Sequence, residues 1–282
     1  MNRNRRTAVQ AFFTLVQNAN LKGFFTGKIY RGDLKSVCVP GLNCYSCPGA
    51  LGACPLGSLQ HSLTSGASRF PYYVLGLMAF FAALLGRGVC AFLCPMGLLQ
   101  DLLDRVPLRK VRTFRGDRPL RYLKYLILAV FVVAIPLAVR LTPAFCSYIC
   151  PSGTLAGLML ALAEPALFGR MGGVFILKVT ILGLLIVLSM KICRPFCRYI
   201  CPLGAFYSLF NRVSLLSIEF DREACVHCGR CSEVCGMGAD PSEDPDSAEC
   251  IRCGACVHEC PEGALRYRMG GFRSPAQAEN EK

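Results

Sequence analysis

The chain has 282 residues, of which 53% are hydrophobic and 17% charged, with a formal net charge of +13. Soluble domains carry about 25% charged residues, so the composition points to an apolar membrane section joined to a smaller domain. Residues 219–282 hold 13 acidic and 7 basic side chains, so the positive excess lies in the remainder, beside apolar stretches where the positive-inside rule accounts for it; nucleic-acid binding is set aside.

In chain order, the basic start leads into a short apolar run at 8–16 that is broken by Gln10 and Thr14, and no cleavable signal peptide is expected. Val9, Phe12, Phe13 and Val16 fall on one side and Gln10, Thr14 and Gln17 on the other, as in an interfacial or partly inserted helix. With the cysteine-rich stretch behind it, this helix makes a first unit, 1–68. A helical membrane domain is expected over 69–217, with spanning candidates at 72–85, 123–139 and 174–190; the segment 154–168 reads as a half-helix, a re-entrant segment or a further span. Arg105, Arg109, Lys110, Arg112, Arg115, Arg118, Arg121 and Lys124 after the first candidate, and Lys191, Arg194 and Arg198 after the third, predict cytoplasmic ends. Residues 30–68 and 141–153 then face the other side. Hydropathy falls from Ile218 onward, giving a solvated domain at 218–268 with a turn at 241–247, and a disordered tail at 269–282.

Nineteen cysteines carry the chemistry. Cys225-x2-Cys228-x2-Cys231-x3-Cys235 is followed by Cys250-x2-Cys253-x2-Cys256-x3-Cys260-Pro261, the tandem run that binds two [4Fe-4S] clusters. Three close thiolates wrap one corner of a cube and the displaced fourth reaches the neighbouring cube. The expected sets are therefore Cys225, Cys228, Cys231 and Cys260, and Cys250, Cys253, Cys256 and Cys235. Paired structural zinc sites are the competing assignment.

The tetrad Cys-Pro-x-Gly recurs at Cys54, Cys94, Cys150, Cys201 and Cys260, and three of the membrane copies have a cysteine four residues earlier, at Cys90, Cys146 and Cys197. Proline suits a first helical position and glycine a close approach, so each copy predicts a helix N-terminus turned toward an anionic cluster. Within one helical turn the paired thiols would share a face. The spans divide the thiols into an inner site of Cys90, Cys94, Cys197 and Cys201 and an outer site of Cys54, Cys146, Cys150 and Cys47; Cys38, Cys44 and Cys193 are unassigned. Two further [4Fe-4S] clusters are expected there, against disulfides, a copper or zinc site, or inert thiols.

His61, His227 and His258 are the only histidines, two of them inside the tandem run, so a bis-histidine haem within this chain is excluded. No nucleotide fingerprint or catalytic triad stands out, and no catalytic residue is assigned. Glu164 and Lys178 lie in or beside apolar segments, where they could pair, assist a proton leaving a quinol, or simply end a helix and snorkel.

The stretch Gly86-Arg87-Gly88-Val89-Cys90-Ala91-Phe92-Leu93-Cys94-Pro95-Met96-Gly97, the later Cys197-x3-Cys201-Pro202 and the two tandem runs resemble the NapH-type membrane ferredoxins, over most of 70–268. The block from Cys38 to Cys54 and the pair Cys146 and Cys150 depart from that pattern, as in a cysteine-enriched branch. The resemblance implies a cytoplasmic ferredoxin domain and electron traffic between the quinone pool and extracytoplasmic partners.

The expected fold class is mainly α: a polytopic helical membrane domain followed by a small α+β bacterial 2[4Fe-4S] ferredoxin-like domain. The expected protein is multi-pass in the cytoplasmic membrane. It relays electrons between a cytoplasmic or quinone donor and a redox partner protein, in contact with membrane lipid. Quinol oxidation or metal-ion reduction by the chain itself, and a non-redox assembly or sensory role, are the alternatives.

Overall fold

The computed structural model describes residues 3–65, 71–108, 110, 111, 114, 116–140, 142–164 and 172–270. Arg109, Arg112 and Arg115 of the basic run, the end of the 154–168 segment and the tail beyond Gly270 lie outside the described residues.

Helix α1 (Arg3–Gln17) is amphipathic, with its polar side turned inward. Arg6 pairs with Asp101 at 2.8 Å, while the Gln10 and Gln17 amides donate to the Cys94 and Leu93 carbonyls, so Phe12 and Leu15 are left outward at 61% and 63% exposure. That is the arrangement of a helix docked on protein by hydrogen bonds, with its apolar face left exposed. A short α2 (Leu21–Thr26) leads into the cysteine-rich loop, and α3 (Pro55–Thr64) and α4 (Tyr72–Leu85) follow.

Helices α5 (Gly88–Phe92) and α6 (Pro95–Leu103) meet at Cys94. The next long element, Asp117–Val139, comprises α7 (Asp117–Leu120), α8 (Leu123–Ile127), a widened π-helical stretch (Leu128–Ala134) and α9 (Ile135–Val139). Pro136 cannot donate to the carbonyl four residues back, which accounts for the wider turns just before it. Helices α10 (Ala144–Tyr148), α11 (Pro151–Ala163), α12 (Gly173–Lys191), a π-helical turn (Phe196–Ile200) and α13 (Pro202–Leu209) complete the helical part.

Among the described residues two helices, Asp117–Val139 and Gly173–Lys191, are long and apolar enough to cross a membrane. Only 22% and 17% of their apolar windows are buried, the inverse of a soluble core helix, and Leu126, Ile176 and Leu184 point outward. The first expected span, α4, has 14 residues and α11 has 13, about 20 Å each against about 30 Å of hydrocarbon.

The last part is a small α+β unit. Strand β1 (Leu216–Phe220) pairs antiparallel with β2 (Leu265–Met269), Leu216 opposite Met269, and between them stand α14 (Arg230–Val234) and α15 (Ala255–Glu259). Met269, expected in the tail, is therefore a strand residue.

A buried polar seam fastens this unit to the helical part. Arg87, fully buried, donates to the Ala248 carbonyl at 2.6 Å, to Glu249 at 3.1 Å and to the Cys197 carbonyl at 3.1 Å. Lys124, also fully buried, binds the other Glu249 oxygen at 2.6 Å, and Asn211 donates to the Ser247 and Cys250 carbonyls. Gly86 ends α4 with φ +53°, and a side chain there would meet Asn211, Ser214 and Arg252, so the left-handed turn and the close approach both call for glycine.

Candidate iron-sulfur sites

All nineteen cysteines are free thiols, so no disulfide closes either cysteine group of the helical part. Cys54, Cys94, Cys150 and Cys201 each cap a helix in extended conformation with proline at the first helical position, as the tetrads predict. Cys260 starts a turn instead of a helix.

The paired cysteines do not share one helical turn. Cys90, Cys146 and Cys197 lie in short helical turns that end before Cys94, Cys150 and Cys201, so each pair straddles a break between two helices. The break frees the amides at the second helix start: the Gly204 N–H donates to Cys201 Sγ at 3.4 Å.

Cys90, Cys94, Cys197 and Cys201 come together. Burial pushes the Cys201 thiol well up, and Cys197, Cys90 and Cys94 add to it; Cys90 is pushed up to about 11 by burial against the pull of Arg87. Two guanidiniums flank this inner site, Arg87 on the Cys197 carbonyl and Arg194 on the Cys90 carbonyl at 2.7 Å. Asp101 holds Arg194 with contacts of 2.7 and 2.5 Å.

At the outer site the structure gathers Cys54, Cys146 and Cys150 with Cys44. Burial pushes Cys146 upward, followed by Cys150, Cys54 and Cys44; Cys54 rises to about 12 through burial and then Cys150. The Cys47 thiol turns to Asn18 Oδ1 at 3.8 Å, and Cys38 to Ser58 Oγ at 3.5 Å. Lys178 donates to the Cys146 carbonyl at 3.2 Å and makes no ion pair with Glu164.

The inner and outer sites have the same plan. Cys54-Pro-Leu-Gly-Ser-Leu-Gln60 faces Phe145-Cys146-x3-Cys150-Pro151, and Cys94-Pro-Met-Gly-Leu-Leu-Gln100 faces Phe196-Cys197-x3-Cys201-Pro202. Gln60 accepts from the Phe145 N–H and Gln100 from the Phe196 N–H, both at 3.1 Å. These glutamines escaped the sequence reading, although their signal, Cys-Pro-x-Gly-x-x-Gln in two copies, is present in the primary structure.

The two sites are neighbours. A Cβ on Gly41 would lie 3.0 Å from Cys94 Cα, and three residues later the loop delivers Cys44 to the outer site, a reach of at most about 11 Å. Tyr207 fills the space between, its hydroxyl donating to the Pro40 carbonyl at 2.8 Å.

In the α+β unit, Cys225, Cys228, Cys231 and Cys260 line one cavity of 120 Å³, and Cys235, Cys250, Cys253 and Cys256 line another of 460 Å³. His227 and Arg252 adopt φ of +52° and +54°, which turns their N–H groups onto Cys225 Sγ and Cys250 Sγ, both at 3.4 Å. Unassigned Cys193 abuts the second cavity: a Cβ on Gly236 would lie 2.6 Å from its sulfur.

The donors suit [4Fe-4S] clusters. Four thiols in each group, the Gly204 N–H aimed at Cys201 Sγ in the inner one, and Gly57 in the outer one, whose Cβ would stand 4.0 Å from Cys146 Sγ, suit a bulky anion. Among the described residues no three His, Cys, Asp or Glu side chains converge on a single-ion position. A cube gives each thiolate its own iron and spaces the sulfurs more widely than one tetrahedral ion does.

Comparison with known proteins agrees. A family described as "4Fe-4S binding domain" matches 70–113, 123–170 and 174–220, and two further models of that description match 217–239 and 244–266. The chain is 30% identical over 196 residues to YccM of Escherichia coli, covering 64% of this chain and about half (51%) of the length of that relative. It is 31% identical over 198 residues to an uncharacterized protein of Methanocaldococcus jannaschii (68% and 67% covered), and 28% identical over 200 residues to the methylamine utilization ferredoxin-type protein MauN of Methylorubrum extorquens (66% and 62%). No solved structure matches. With 4Fe-4S domains along both its halves and relatives that also include the ferredoxin-type protein NapH of Escherichia coli, the chain belongs to the ferredoxin-type electron-transport family.

Proposed function

We propose that the chain carries electrons between a redox donor and a partner protein through four [4Fe-4S] sites, two in the α+β unit and two in the helical part. The sets are Cys225, Cys228, Cys231 and Cys260; Cys235, Cys250, Cys253 and Cys256; Cys90, Cys94, Cys197 and Cys201; and Cys44, Cys54, Cys146 and Cys150. Bound there, the clusters would supply reversible one-electron storage.

Contacts among the protein's own residues link three of these cysteine groups in succession, and this continuity supports the proposal. Arg87 ties the backbone beside Cys250 to the Cys197 carbonyl, and Cys193 stands against Gly236 four residues before Cys197. Tyr207 and the Pro40–Gly41 turn join the inner site to the outer one. Burial of the four inner thiols excludes water and lowers the local dielectric.

The outward apolar faces of Asp117–Val139 and Gly173–Lys191 favour a place in the cytoplasmic membrane. The basic residues at 105–124 and 191–198 favour a multi-pass topology with the α+β unit toward the cytoplasm. A quinone or a soluble protein is the donor, and a redox protein the partner. The chain thereby spans one section of a longer electron path.

Anaerobic purification with iron analysis tests the proposal: four occupied sites give about 16 iron atoms per chain. Cys44→Ser is expected to lose about four of them, whereas Cys47→Ser keeps all. About eight iron atoms in the parent protein would reject the two membrane sites.

A further inference from the structure

Gln60 and Gln100 occupy equivalent places in the two membrane sites, each six residues after a Cys-Pro cysteine. Both are buried, at 0% and 1% exposure. Each oxygen accepts a backbone N–H, from Phe145 and Phe196 respectively, and each Nε2 then faces the sulfur of the following cysteine. Gln60 Nε2 stands 3.7 Å from Cys146 Sγ, and Gln100 Nε2 stands 3.1 Å from Cys197 Sγ and 3.2 Å from the Met96 carbonyl.

The amide has no freedom to reverse. A backbone N–H can only donate, so the glutamine must present oxygen to it, and the NH2 group must point at the sulfur. An NH2 group aimed at sulfur needs an acceptor; a ligating thiolate is a good one and a protonated thiol a poor one. Hydrogen bonds onto cluster sulfurs stabilise the more negative, reduced state.

We propose that Gln60 and Gln100 are positioning residues that raise the reduction potentials of the outer and inner sites, each by one N–H donated to a ligand thiolate, Gln100 more strongly because its contact is shorter. This rests on both sites holding clusters. The same amide sets the backbone entering the ligand pair, so geometry and potential are fixed by one side chain.

The test is an EPR-monitored redox titration of the full-length chain, purified anaerobically, with Gln60→Leu, Gln100→Leu and Gln100→Glu. Leucine keeps the volume and removes the donor; glutamate keeps an oxygen for the Phe196 N–H but brings no N–H to Cys197. The expected result is a lower midpoint for the inner signal in both Gln100 variants and a smaller drop for the outer signal in Gln60→Leu, with ferredoxin signals unmoved. Electron-nuclear double resonance of the parent protein should reveal, for each membrane signal, an exchangeable-proton coupling that the matching variant lacks, over and above the one the Gly204 N–H gives the inner site.

Unmoved midpoints at full iron content overturn the proposal while leaving the four-site assignment intact. If the leucine variants lose iron, the parent carrying 15N in its glutamine side-chain amides decides: a 15N coupling to each membrane signal supports the donor role, and its absence overturns it, because the backbone Gly204 N–H on Cys201 carries no such label. A parent protein with ferredoxin signals alone overturns the site assignment and this role together.

Discussion

Replacing Glu249 by glutamine probes the seam that joins the two halves of the protein. Its carboxylate faces two cations that are themselves fully buried, Arg87 at 3.1 Å and Lys124 at 2.6 Å. Glutamine keeps the shape and an oxygen acceptor, so the perturbation is chiefly the loss of one negative charge. Arg87 retains the Ala248 and Cys197 carbonyls, but Lys124 keeps only a neutral amide oxygen and the Tyr125 ring at 5.2 Å, which leaves its ammonium without a counter-charge. Removing one partner of a buried ion pair costs about 3–5 kcal/mol, which corresponds to a melting temperature lower by roughly 6 °C or more. Thermal unfolding of the detergent-solubilised, cluster-loaded protein measures it, and Lys124→Met combined with Glu249→Gln should recover much of the loss. A single variant within about 1 kcal/mol of the parent, or a double variant no better than the single, would refute the reasoning. The same pair sets an acid limit. Burial pushes the Glu249 carboxyl up, but Arg87 and Lys124 outweigh it and hold its pKa below the usual range. Its contribution is therefore complete above the unfolded-state value of about 4.3 and is lost as pH falls through the lower folded value, a loss that Glu249→Gln should not display.

Two other substitutions examine the proposed sites of the helical part. Gly57→Val places methyl groups in the space before Cys146 Sγ, and about four iron atoms should be lost from the outer site alone; unchanged iron would count against a bulky group being held there. Tyr207→Phe removes the hydroxyl that holds the Pro40 carbonyl, and should cost about 0.5–1.5 kcal/mol with iron content preserved, so an unaltered melting curve would remove the hydroxyl from the link between the sites.

The primary structure carried the tandem cysteine runs, the helix starts at Cys54, Cys94, Cys150 and Cys201, and the two long apolar helices, because each is written in local spacing or a short apolar window. Local pattern cannot say which distant thiols meet. Spacing assigned Cys47 to the outer site and left Cys44 out, whereas the loop that passes Cys94 at Gly41 brings Cys44 beside Cys146 and turns Cys47 to Asn18. Nor does a helical wheel tell which side of α1 faces protein: apolar residues would pack inward in water, but here Arg6, Gln10 and Gln17 find buried partners across more than 70 residues of chain. The nearness of the inner and outer sites, the pairing of Glu249 with Arg87 and Lys124, and the glutamines facing Cys146 and Cys197 are all contacts of long sequence separation. They exist only once the helices are packed, since a hydrogen bond or ion pair is a property of two groups in space and not of either residue in its own segment.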